Sequence, residues 1–179
     1  MTVAYDVDKA VIGITKFEYK KASADTFTEA GLIKDDGVEI TTKITKVSLN
    51  AAQSITAVRH RITNIERELK VTFLELDITA LQTLKQLTSG AVTTASGVTT
   101  FTDEHDLNAE DLIFQITTPG ANGATIVRKY RATLSNIGSE KLNNKEFWEC
   151  ELTYSIVPYD ADTSLNQLEK STSTAAANS

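Results

Sequence analysis

From Trp148 to Ile156 apolar and polar side chains alternate: Trp148, Cys150, Leu152, Tyr154 and Ile156 share one parity, and Glu149, Glu151, Thr153 and Ser155 the other, joined there by Phe147. A period of two belongs to a β-strand, whose successive side chains leave on opposite faces; a helix would spread these five around its girth. Pro158, which has no N–H for a ladder, closes the pattern. The chain therefore needs a sheet with one face buried.

Other segments repeat the pattern. Leu69, Val71 and Phe73, with Ile65 ahead of them, oppose Glu66, Glu68, Lys70 and Thr72. Val38, Ile40, Thr42 and Ile44 alternate with Glu39, Thr41, Lys43 and Thr45 before the parity shifts at Val47 and Leu49, which predicts a long, exposed strand pair. In VIGITKFEY, Ile12 and Ile14 hold one parity and Phe17 and Tyr19 the other, an early strand that changes face at a kink. DLIFQITT pairs Leu112, Phe114 and Ile116. The glycines of TPGANGA turn the chain into a return strand, TIVRKYRATL.

Between these lie segments of other kinds. Residues 20–37 mix small, charged and turn-forming side chains around Asp35, Asp36 and Gly37 and read as a loop. Asp77 can cap a helix carrying Ile78, Leu81, Leu84 and Leu87 as an apolar stripe, with Gly90 as its stop. Residues 91–102 are Thr-rich around Gly97 and read as a hairpin of weakly specified register. Residues 159–179 bear too little apolar surface to offset the entropy of ordering, so no fixed structure is expected there. The expected fold is mainly β, a sandwich or barrel over residues 1–158 with one short helix packed on it and an extended hairpin at about 35–62.

Length and charge narrow the function. A chain of 179 residues suits one core-bearing domain. Its net charge of -6 repels phosphate and anionic lipid. One cysteine permits no internal disulfide, the start MTVAYDVDKA lacks the basic end and apolar run of a signal peptide, and no apolar run spans a bilayer, which predicts cytoplasmic synthesis and no membrane.

Nothing in the sequence assembles a catalytic constellation. His60 and His105 have no Ser or Cys elbow beside them, and Cys150 sits on the apolar parity of its strand, where a core role outweighs a nucleophilic one. Asp103, Glu104, His105 and Asp106 carry metal-ligand chemistry, but consecutive residues cannot all face one centre, and a solvated loop is the better reading. Arg59, Arg61, Arg67, Arg128, Lys129 and Arg131 are diluted by acids and lack interleaved aromatics to stack bases. No cofactor is called for.

The layout of VIGITKFEY, the turn KDDGVEI, a long strand pair around Gln53, then ELKVTFLELDITALQTL and the closing FWECELTYSIVPYD resembles the major tail-tube proteins of long, non-contractile phage tails. The likeness covers roughly residues 9–158 and rests on element order, not on an invariant motif. It implies a virion structural protein, made in the host cytoplasm, that closes into hexameric rings stacking into a hollow tube. Tape-measure, tail-terminator and distal-tail proteins would be its partners, and DNA would pass without specific binding. It further implies that residues 35–62 bridge one ring to the next, so Val38, Ile40, Thr42, Ile44, Val47 and Leu49 are ring-contact candidates. Glu66, Glu68, Lys70 and Thr72 are candidates for the lumen or an intersubunit seam. A tail terminator, an immunoglobulin-like binding module and, on the DEHD stretch alone, an enzyme are the competing readings.

Overall fold

A computed structural model of the protein describes residues 13–49, 59–75, 78–120, 124–141, 148–159 and 167–172. In chain order the elements are β1 (Lys16–Lys21), β2 (Thr28–Glu29), β3 (Leu32–Leu49), β4 (Arg59–Glu75), α1 (Ile78–Leu84), β5 (Val92–Ala95), β6 (Val98–Phe101), β7 (Leu112–Pro119), β8 (Ala124–Lys141), β9 (Glu149–Val157) and β10 (Gln167–Thr172). The mainly β class with one short helix holds.

Eight strands form one antiparallel sheet in the order β2-β1-β7-β8-β9-β4-β3, with β10 also pairing β8; β5 and β6 pair separately. The alternation explains its two faces. Cys150, Leu152, Tyr154 and Ile156 of β9 pack with Leu69, Val71 and Phe73 of β4 and Leu112, Phe114 and Ile116 of β7 in one core, while the intervening residues turn outward.

The sheet is strongly curled. Three strands separate β1 from β4, so a flat sheet would hold them about 19 Å apart at ~4.8 Å per strand. Yet the rings of Phe17 on β1 and Phe73 on β4 stand edge to face with centroids 6.0 Å apart. The two sides of the curl thus enclose the core between them, and α1 adds Ala80, Leu81 and Leu84 to it.

Several local expectations are corrected. The segment 20–37 is not a loop: β1 runs to Lys21, β2 is formed, and β3 already begins at Leu32. Asp35, Asp36 and Gly37 sit inside β3, where the pairing steps from Ile33↔Phe73 to Val38↔Val71 and leaves four residues opposite Thr72. Residues with turn preferences also build bulges, and it is the partner strand that selects between the two outcomes. A side chain at Gly37 would bring Cβ within 2.7 Å of the Lys34 carbonyl oxygen, so the bulge needs glycine.

The helix stops at Leu84, not at Gly90. Gln86 takes the left-handed conformation, with φ 51°, its N–H bonds the Thr83 carbonyl, and the Leu87 N–H reaches back to Gln82. This is the pairing of a Schellman ending. Gln86 tolerates a conformation that favours glycine because its amide is doubly held: Oε1 accepts from the Leu134 N–H at 3.1 Å and Nε2 donates to the Glu110 carbonyl at 3.0 Å. Leu87 is buried, but through a bridge to His105 and not as a fourth turn of the stripe.

The 91–102 hairpin forms as β5 and β6 around Ser96 and Gly97, both at positive φ, as a tight two-residue turn requires. The tail expected to lack structure contributes β10, which pairs with Ala124–Lys129 of β8. Backbone pairing to an open strand edge does not require apolar composition, and β9 occupies that edge of β8 only from Arg131 onward. The Asp77 cap, Gln53 and most of 50–62 fall outside the described residues.

Candidate functional site

The hairpin of β3 and β4 is longer than the body it belongs to. β4 pairs with β9 only from Glu68 to Phe73, whereas its pairing with β3 continues outward to Leu49↔Arg59. Beyond Glu68 the two strands form a ribbon on their own. Among the described residues neither outer edge of this ribbon has a strand partner, which leaves its backbone donors and acceptors available for pairing.

Its two faces differ. Ile44 lies directly opposite Ile65, on the parity that carries Ile40 and Leu69 into the core. Ile62 would fall on the other face of a regular strand, being three residues from Ile65. The pairing, however, steps from Thr45↔Asn64 to Lys46↔Ile62, and the extra residue Thr63 brings Ile62 round to the same side. On the resulting face Ile44, Ile62 and Ile65 are 48%, 51% and 47% exposed, with exposed Lys46 directly opposite Ile62. The opposite face holds Lys43 and Glu66, 4.0 Å apart, with Asn64 donating to Glu66 at 2.7 Å, and also Val47 opposite Arg61.

Of the ring-contact candidates, Ile44 and Val47 are exposed on opposite faces of the ribbon, and Thr42 is exposed beside them. Val38 and Ile40 lean on the core instead, since the strand has not yet left the body at that point. Leu49 is the last residue of β3. Glu66, Glu68, Lys70 and Thr72 all lie on the outward side, in a line that runs from ribbon to body: Glu66 and Glu68 are exposed, and Lys70 and Thr72 are half-buried.

That outward side carries charges in pairs. Lys70 on β4 bonds Glu151 on β9 at 2.9 Å, and Lys34 on β3 bonds Glu149 at 3.0 Å. The hydrogen bond that Lys70 donates to Glu151 raises the Lys70 pKa above its ordinary value, and the one from Lys34 lowers that of Glu149. The glutamates were legible as outward-facing from the period of β9. Their lysine partners were not, because alternation does not say which strands are neighbours.

The residues with possible chemistry go separate ways. Asp103 lies 3.9 Å from Lys85, His105 bridges to Leu87, and Asp106 accepts from the Asn108 N–H, so DEHD converges on no centre. Cys150 is buried beside Glu140, and burial first, then that carboxylate, pushes its thiol up to about 11. Such a thiol is a poor nucleophile at neutral pH. Arg67 covers the Tyr130 ring, Arg131 bonds Asp111 at 2.7 Å, and Lys129 approaches Phe27. These cations make no common patch. No helix among the described residues is long and apolar enough to cross a membrane.

Neither protein-family models nor curated proteins give a match to this chain.

Proposed function

We propose that this chain is the repeating structural subunit of a tail tube of the long, non-contractile phage type, forming hexameric rings that stack into a conduit for DNA. One observation carries the reading: a two-stranded ribbon leaves the body with no strand partner on either outer edge among the described residues and with Ile44, Ile62 and Ile65 half-exposed along one face. Open edges and an exposed aliphatic face are costly features for a subunit that remains alone. A ribbon that docks onto a different surface of the next copy makes a head-to-tail contact, which yields rings or stacks. The ring number six comes from the family resemblance, as does the virion setting.

Negative-stain electron microscopy of the concentrated protein tests this directly. Tubes or stacked rings are the expected result. Discrete single rings would favour a tail terminator, and persistent monomers at high concentration would reject both. The triple variant I44N/I62N/I65N should keep its circular dichroism spectrum, since exposed substitutions usually change stability by only about 0.5 kcal/mol each, yet fail to assemble. Tubes of normal length from this variant would remove the ribbon from the assembly contact.

A further inference from the structure

Glu149 and Glu151 are two residues apart on β9 and so point to the same, outward side. Lysines from β3, β4 and β8 converge on them. Glu149 serves two: Oε1 accepts from Lys34 at 3.0 Å, and Oε2 lies 3.7 Å from Lys141 on β8. Glu151 takes Lys70. With Glu39, these residues line a groove of about 260 Å³ across four strands. Three lysines are thus matched by three glutamates.

The backbone makes room for this arrangement. At Gly138 on β8 an added Cβ would stand 2.5 Å from Glu151 Oε1 and 3.0 Å from its Cβ and Cδ. Only a glycine lets Glu151 lie flat over β8 within reach of Lys70. Ion pairs this open to solvent contribute little to stability, so stability is a weak reason for building them. Their other effect is on what the face binds. Lysines that outnumber the carboxylates in one groove would gather phosphates through counterion release.

We propose that Glu149 and Glu151 keep this face inert toward polyanions by sequestering Lys34, Lys70 and Lys141, and that without the two carboxylates the groove binds duplex DNA non-specifically. The benefit to a conduit for DNA rests on the tube reading, but the masking does not. It is measured by DNA binding, separately from tube formation, so either idea can fail while the other stands.

The probe is a short, fluorescently labelled DNA duplex read by anisotropy at 50 and 200 mM salt. Wild type, and an Asp25→Asn/Glu104→Gln control that removes two charges elsewhere, should leave anisotropy unchanged. E149Q/E151Q should bind, and with Glu39 still in the groove a net two positive charges predict an affinity about 12-fold weaker at the higher salt. Adding K34Q/K70Q/K141Q should abolish that binding. A folded E149Q/E151Q that does not bind, binding that survives loss of the three lysines, or equal binding by the control would each overturn the proposal. Should the double variant misfold, E151Q alone decides: it removes the carboxylate bonded to Lys70, leaving Glu39 beside it, and should show weaker binding with a shallower salt dependence, and no binding at low salt rejects the masking.

Discussion

Replacing Tyr154 with Phe removes one oxygen from the centre of the molecule. Tyr154 is fully buried, and its hydroxyl donates to the Leu84 carbonyl at 2.9 Å. That carbonyl is one of the last four of α1, which have no partner within a regular helix. The other three are taken by the chain turning back on itself: Lys85 N–H to Leu81, Leu87 N–H to Gln82 and Gln86 N–H to Thr83. The turn that satisfies these cannot reach Leu84, so the bond must come from the sheet. Tyr154→Phe loses a bond worth about 1 kcal/mol net and leaves a buried carbonyl unmet, for a total of about 1–3 kcal/mol. At roughly 2–4 °C per kcal/mol for a domain of this size, the melting temperature should fall by several degrees. Urea unfolding followed by circular dichroism should show a lower midpoint with an unchanged slope, because the surface exposed on unfolding is the same. A loss under about 0.5 kcal/mol, within the usual range for surface substitutions, would refute the argument that this hydroxyl completes the helix end.

Two further outcomes follow from the same reasoning. Gln86→Gly relieves the left-handed backbone but strips the amide from the Leu134 N–H and the Glu110 carbonyl; it should destabilise by about 1–3 kcal/mol in thermal melts, and a gain in stability would show that backbone strain dominates. The folded Glu149 pKa lies below its ordinary value, chiefly through the bond from Lys34, so its contribution is full above about pH 4.5 and is lost as pH falls through the lower folded value. Glu149→Gln should therefore flatten the acid limb of a stability-against-pH curve only slightly below about pH 4.5, the pair being open to solvent, and a steeper limb would contradict the pair.

Much of the secondary structure was readable from single strands. The period of two in β9 and β4 stated which residues are buried, because only one face of such a strand can leave water. Where the reading failed, the missing information was the identity of a neighbour. Asp35, Asp36 and Gly37 have the chemistry of a turn in any setting, but β4 runs alongside and holds them as a bulge. Gly90 is the more obvious helix stop, yet Gln86 ends α1 because β8 offers the Leu134 N–H to its side chain. The Gln167–Thr172 segment looked unable to order itself, and alone it lacks the apolar surface, but an open stretch of β8 supplies the hydrogen bonds.

The candidate surfaces divide in the same way. The sequence by itself determined that Glu149, Glu151, Lys70 and Glu68 point away from the core, since alternation settles the face of each strand. It also determined that Val38 to Ile44 is an alternating strand. Only the tertiary structure decided that the hairpin outruns its neighbours, that a bulge at Thr63 turns Ile62 to the side of Ile44 and Ile65, and that lysines from β3, β4 and β8 meet the glutamates of β9. Strand order and register join residues as far apart in sequence as Lys34 and Glu149, and no local pattern encodes such a pairing.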